Sequence, residues 1–301
     1  MKTFFYTLIF LLGTALSLKA QNAIALYTAK VPNSKEHSST YSERLNRWGA
    51  AEKVSVPTLT PYLLKDGKVH TAILVIPGGA YANVALAVEG DPVALALNKI
   101  GVDAFVLKYR LPSDSVMIDK TIGPLQDAES AMMMIRKNAK QWGIDPAKVG
   151  VIGFSAGGHL ASTLSTHFDK PVITLDNNIS IRPDFTALIY PVITMGKYTH
   201  MGSRISLLGR EPSQELIDLY SNDKQVTAET PPTFLVQAED DNTVPVQNSL
   251  LYFEALLQNH VKAEMHIYPA GGHGFGLKNP KINWMDRLKD WLIISGWLNE
   301  K

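Results

Sequence analysis

Cysteine is absent from the 301-residue chain. That gap excludes disulfides, thiolate metal sites, a cysteine nucleophile and a lipid-modified N-terminal cysteine. A chain of this length can bury enough apolar surface to fold without cross-links, so the absence does not argue against an oxidising compartment. Long apolar runs are lacking too: none reaches the roughly 18 residues that a membrane-spanning helix requires. Neither sign of charge dominates, with 29 Lys and Arg against 28 Asp and Glu for a formal charge of +1. No basic surplus remains to meet the phosphates of a nucleic acid. Internal repeats and low-complexity tracts are also missing.

What is present begins at the N-terminus. Lys2 precedes the apolar stretch Phe4 to Leu18, and Leu18-Lys19-Ala20 stands before Gln21. This pattern predicts a signal peptide over residues 1–20, cleaved after Ala20, and export to the periplasm or the exterior without an anchor. Cleavage removes Lys2 and Lys19 and no acid, which turns the formal charge from +1 to −1. Residues 21–301 are expected to form one domain, opening with a polar, irregular lead-in over residues 21–50.

The first strong signal is Thr71-Ala-Ile-Leu-Val-Ile76, a short continuous apolar run closed by Pro77-Gly78-Gly79. Such a run suits a strand buried on both faces. A helix starting at Asp91-Pro92 and carrying Val93, Leu95, Leu97 and Ile100 leads to a second strand at Asp103 to Lys108. The alternation continues through a helix over 127–138, a strand over 149–154 and a helix from Ala156. Strands over 185–190 and 233–238, a helix over 249–259, a strand over 263–268 and a helix over 284–297 complete it. Strands alternating with helices predict an α/β fold with a mainly parallel central sheet covered on both faces, and place function at the carboxyl ends of the strands. The rhythm breaks between Pro191 and Pro231, where 205–209 and 213–220 read as two short helices, either a small lid (191–231) or a packing element at the sheet edge.

Chemistry concentrates at four strand ends. Gly153-Phe154-Ser155-Ala156-Gly157 places a serine in a sharp turn between an apolar strand and a helix, which exposes its hydroxyl and directs a helix N-terminus at developing negative charge. A serine hydroxyl needs a base, and the base an orienting acid. The strand at 233–238 runs straight into Glu239-Asp240-Asp241. The strand at 263–268 ends in Gly271-Gly272-His273-Gly274, a loop too glycine-rich for its histidine to be core filler. Ile76-Pro77-Gly78-Gly79-Ala80-Tyr81 supplies amides for an oxyanion: Gly79 is the first choice, with Gly78 or Ala80 open, alongside Ala156. Tyr81, Tyr109, Arg110, His200 and Trp284 are candidate substrate contacts, and each also has an ordinary packing role. This chemistry calls for no cofactor or metal.

These motifs, with Leu107-Lys-Tyr-Arg-Leu111, Trp142-Gly-Ile-Asp-Pro146 and Pro231-Pro-Thr-Phe-Leu235, resemble the acetyl esterase and acetylxylan esterase branch of the α/β-hydrolase fold, related to hormone-sensitive lipase-like and metagenomic feruloyl esterases. The resemblance covers the chain from about Val69 onward and implies Ser155 as nucleophile and His273 as base. It selects Asp241, four residues before Pro245, as the acid, with Asp240 as fallback. Where the lipase-like pattern has His-Gly-Gly-Gly, this chain has Pro77-Gly78-Gly79-Ala80. The implied activity is hydrolysis of acyl esters, acetyl foremost, of a polysaccharide such as xylan or of a small molecule. Feruloyl or general carboxylesterase action, a serine peptidase of the prolyl-oligopeptidase kind and a non-catalytic carbohydrate-binding protein are the alternatives. Oligomeric state is not encoded in any motif.

Overall fold

In the computed structural model, which describes residues 22–36, 41–176 and 179–299, the apolar run after Val69 is the strand His70–Ile76, sealed on both faces. Ala72, Leu74 and Ile76 enter one core while Ile73 and Val75 enter the other, as the two-residue period of a strand dictates. The signal peptide expected over residues 1–20 lies outside the described residues.

In chain order the strands are β1 (Ile24–Ala25), β2 (Arg44–Leu45), β3 (Ala51–Glu52), β4 (Thr58–Tyr62), β5 (His70–Ile76), β6 (Asp103–Lys108), β7 (Ile144–Phe154), β8 (Thr186–Ile189), β9 (Thr233–Ala238) and β10 (Ala263–Tyr268). The helices are α1 (Asp91–Lys99), α2 (Gly123–Lys137), α3 (Ala139–Trp142), α4 (Ser155–His167), α5 (Met201–Leu208), α6 (Gln214–Leu219), α7 (Gln247–Gln258) and α8 (Trp284–Ile294). The main sheet runs β1-β4-β6-β5-β7-β8-β9-β10; β1, β4 and β6 are antiparallel neighbours and every pairing from β6 to β10 is parallel. This mostly parallel sheet covered by helices is the α/β-hydrolase architecture.

Two cores result. One holds Leu125, Ala128 and Met132 of α2, Leu160 and Leu164 of α4, and Tyr252 and Leu256 of α7. The other holds Val93 and Leu97 of α1 and Trp284, Leu288 and Trp291 of α8. Each fully buried aliphatic or aromatic side chain contributes roughly 1.5–3 kcal/mol, so the two layers are what hold the sheet in place. The chain leaves β5 through α1 to β6, then returns through α2 and α3 to β7 on the other side of β5. Strand order therefore reverses between β5 and β7, which opens a crevice at their carboxyl ends.

The segment between Pro191 and Pro231 breaks the alternation as expected. Its helices differ in extent: α5 starts at Met201 because the His200 side chain accepts from the Ser203 amide and caps it, and Ser213 caps α6 in the same way. Leu207, Leu208, Tyr220 and Val226 belong to the first core. Asn222 Nδ2 donates to the His159 carbonyl and to Ser162 Oγ on α4, at 3.1 and 2.7 Å. The final helix stops at Ile294, three residues before the expected end at Trp297.

Candidate active site

The turn from β7 into α4 is tight enough to dictate its own sequence. A Cβ built on Gly153 would meet the Gly157 carbonyl oxygen at 2.3 Å, and one on Gly157 would meet the Ile76 carbonyl oxygen at 2.2 Å. Only glycine fits at either place. Between them Ser155 takes a left-handed backbone at φ 51°, a strained conformation for a residue with a side chain.

The structure brings Ser155, His273 and Asp241 together. Ser155 Oγ lies 2.9 Å from His273 Nε2, and His273 Nδ1 lies 2.7 Å from Asp241 Oδ2. A carboxylate only accepts, so the imidazole proton sits on Nδ1 and Nε2 is free to accept from the serine. The Asp241 side chain is fully buried, and its oxygens also accept from the Thr243 and Val244 amides and from Gln237 Nε2, each at 2.9 Å. Asp240 does not reach the histidine. Its Oδ1 accepts from the amides of Gly271 and Gly272, at 2.8 and 2.7 Å, and so ties down the loop that carries His273.

The loop after β5 lies alongside. Gly79 (φ 124°), Ala80 and Tyr81 (both φ 57°) all have positive φ, and the Gly79 carbonyl accepts from the amides of Ala82 and Asn83. The Gly78 amide donates to Glu89 Oε2 at 2.7 Å, which removes it as an oxyanion donor. The amides of Gly79 and Ala80 meet no protein acceptor among the described residues. That of Ala156, in the first turn of α4, has no partner within its helix by position.

A cleft of about 350 Å³ joins these groups, lined by Gly79, Ala80, Asn83, Ser155, His200 and His273 among others. Glu89 is the one carboxylate in its lining. Burial pushes the Glu89 carboxyl up against the lowering pull of its hydrogen bonds from Gly78 and Tyr190, and pushes His200 down. A larger cleft of about 560 Å³ opens at the opposite end of the sheet, where β5 begins, far from the serine turn. Among the described residues no cluster of three or more metal-ligating side chains occurs, and no helix is long and apolar enough to cross a membrane.

Four candidate substrate contacts are structural instead. Tyr81 is buried with its hydroxyl 2.8 Å from His159 Nδ1, and Tyr109 is buried with its hydroxyl on the Pro77 carbonyl. Arg110 is sealed in an ion pair with Asp127, and Trp284 Nε1 donates to the Gly276 carbonyl inside the second core. Of the five, only His200 reaches the cleft. Glu89 and Tyr190 went unnoticed in the sequence. Neither sits in a motif, and they meet only through folding.

Comparison with known proteins places the chain among esterase relatives. The family profile BD-FAE matches residues 62–256. The chain is 41% identical over 248 residues to endo-1,4-beta-xylanase B of Butyrivibrio fibrisolvens, covering 80% of this chain and 36% of that protein. It is 40% identical over 210 residues to the acetylxylan esterase of Xylanibacter ruminicola, covering 68% and 41% of the two chains. The chain thus spans about two fifths of the length of these relatives. A crystal structure of an acetyl ester-xyloside bifunctional hydrolase from Caldicellulosiruptor lactoaceticus superposes with a TM-score of 0.79 at 38% identity, over 92% of this chain and 97% of that one.

Proposed function

Because the chain belongs to the BD-FAE family, we propose that it is an exported serine esterase that removes acyl groups, acetyl foremost, from carbohydrate esters such as those of xylan. The observation that carries the reading is His273 within 2.9 Å of Ser155 and 2.7 Å of a buried Asp241. In this mechanism His273 takes the proton of Ser155 as Oγ attacks the ester carbonyl, and Asp241 holds the imidazole and stabilises its cationic form. The amides of Gly79 and Ala156 receive the oxyanion, with Ala80 as the further donor of the loop. His273 then protonates the departing alcohol and, in reverse, activates the water that hydrolyses the acyl-enzyme.

The cleft of about 350 Å³ at the serine has room for an acetyl group. The names of two relatives support the carbohydrate ester. Xyloside cleavage, also named for the Caldicellulosiruptor protein, has less support here: a glycosidase needs two carboxyl groups flanking the bond, and Glu89 stands alone in the cleft with both oxygens engaged. Residues 21–301 act as one domain, and the anchoring of 191–231 to α4 and the first core favours a fixed wall over a moving lid. Export rests on the pattern of residues 1–20, and the exported protein is expected to begin at Gln21.

The test is a substrate panel for the purified protein: acetylated xylan, a feruloyl ester, p-nitrophenyl esters of increasing acyl length and a peptide amide. Acetyl esters should be hydrolysed with the highest kcat/KM, and Ser155→Ala should lower that value by at least about 10⁴-fold. Cleavage of the amide alone would replace the esterase by a peptidase. Failure of a fluorophosphonate to label Ser155 would point to a binding protein on a hydrolase fold.

A further inference from the structure

Glu89 is buried at the end of a π-helical turn, Leu86–Gly90, that leads into α1. Its two carboxylate oxygens serve two different parts of the cleft. Oε2 accepts from the Gly78 amide at 2.7 Å, in the loop after β5. Oε1 accepts from the Tyr190 hydroxyl at 2.8 Å, at the end of β8. The Tyr190 ring stands edge-on to the His273 imidazole, with centroids 5.0 Å apart, and to Phe275 at 4.6 Å in the same loop. Space around Gly78 is shared closely: a Cβ built there would lie 2.9 Å from both Glu89 Oε2 and Ser155 Cβ.

Fixing a loop of glycines beside a nucleophile is a geometric problem. Gly78 and Gly79 leave the backbone free to turn, so something must decide which amides remain available to an oxyanion. A carboxylate on the Gly78 N–H does this, because that amide is consumed while Gly79 and Ala80 keep theirs unpaired. The same carboxylate, through Tyr190, bears on the ring that must receive the serine proton.

We propose that Glu89 is a positioning residue for acyl transfer, whose hydrogen bonds to Gly78 and Tyr190 set the oxyanion loop and the His273 ring in one geometry. This role rests on the triad reading above. It is one of hydrogen-bond geometry and not of charge, and that distinction makes it testable.

Kinetics on p-nitrophenyl acetate separate the outcomes. Glu89→Met keeps the length of the side chain without an acceptor, and should lower kcat about 10- to 100-fold with KM within about twofold. Glu89→Gln can place its amide oxygen on the Gly78 N–H and its NH₂ on the Tyr190 hydroxyl oxygen, so it should return kcat to within about threefold of the parent. Tyr190→Phe keeps the ring against His273 and should lose about 3- to 10-fold in kcat. Parental kcat in Glu89→Met, or a Gln variant no faster than the Met variant, overturns the proposal. Should Glu89→Met melt too low to assay, parental kcat in Tyr190→Phe overturns it. Fluorophosphonate labelling of the parent separates the two levels: an unlabelled Ser155 removes the triad reading itself, whereas a labelled one with indifferent Glu89 variants removes only this role.

Discussion

Asp240 and Asp241 are adjacent in sequence and do different work. Asp241 is sealed beneath His273 with each oxygen held by two donors, while Asp240 sits at the rim and holds two loop amides. Asp241→Asn keeps the shape but presents an NH₂ or a neutral oxygen to Nδ1, which favours the wrong tautomer, and kcat is expected to drop on the order of 10⁴-fold. Asp240→Asn keeps an oxygen that can accept from Gly271 and Gly272, so its loss should stay within about 10-fold. Steady-state kinetics of the two variants would reverse the assignment if Asp240→Asn proved the slower. The serine and the histidine were legible in the sequence because each follows a strand in a turn too small or too glycine-rich for core packing, and the acidic pair because it follows a strand directly. Which acid faces the histidine was not readable from composition, since both follow the same strand by two or three residues. Glu89 was invisible for a different reason: its partners lie 11 and 101 residues away, and no local pattern marks a carboxylate that will be buried between them.

At the scale of elements, α4 does more than carry the serine. His159, one turn on, is fully buried; its Nε2 donates to the Tyr220 carbonyl and its Nδ1 accepts from Tyr81 in the oxyanion loop. Burial lowers its pKa from 6.5 to about 4. Between those values the unfolded chain binds a proton that the folded protein refuses, so stability is lost as pH falls from about 6.5 towards 4, by on the order of 3 kcal/mol. Asp103 and Glu129, pushed up to about 6 and about 8 by burial, work in the opposite direction within that window. Comparison with His159→Gln removes its contribution: the stability difference between parent and variant should shrink by about 3 kcal/mol from pH 7 to pH 4 in urea titrations. A constant difference would show that His159 does not carry this pH dependence. The long-range pattern of elements was readable where strands are mainly apolar runs, as in β6 and β9, or alternate as Ala263-Glu-Met-His-Ile-Tyr268 does in β10, and all three match their expected bounds. The strand β4 was missed because Thr58-Leu-Thr-Pro-Tyr62 is short and contains a proline, a combination that argues against a strand. Helix α2 starts at Gly123, four residues before the expected Asp127, with Pro124 in its first turn as the start signal.

At the scale of the whole molecule, the described part of the polar lead-in, residues 22–36 and 41–50, is tied into the fold. Leu26 joins the first core, and Tyr27 donates to Asp127 Oδ1 at 2.9 Å. Arg110, just past β6, meets the same Asp127 on α2 at 2.8 Å and donates to the Pro32 carbonyl at 2.6 Å. One ion pair, exposed by no more than 1% on either side, thus joins the lead-in, the sheet and a helix from three distant parts of the sequence. Breaking a buried pair leaves the other charge without compensation, and Arg110→Met should destabilise the protein by about 3–5 kcal/mol. Replacing both partners, as in Arg110→Met with Asp127→Leu, should recover a large part of that loss, because no unpaired charge remains. Neither residue lines the cleft at Ser155, so kcat per folded molecule should stay within about twofold of the parent in both variants. Urea unfolding reads the first effect and active-site titration with a fluorophosphonate the second. A double variant no more stable than Arg110→Met would mean that the lead-in is held by packing around Leu26 and Tyr27 and that the ion pair only follows it.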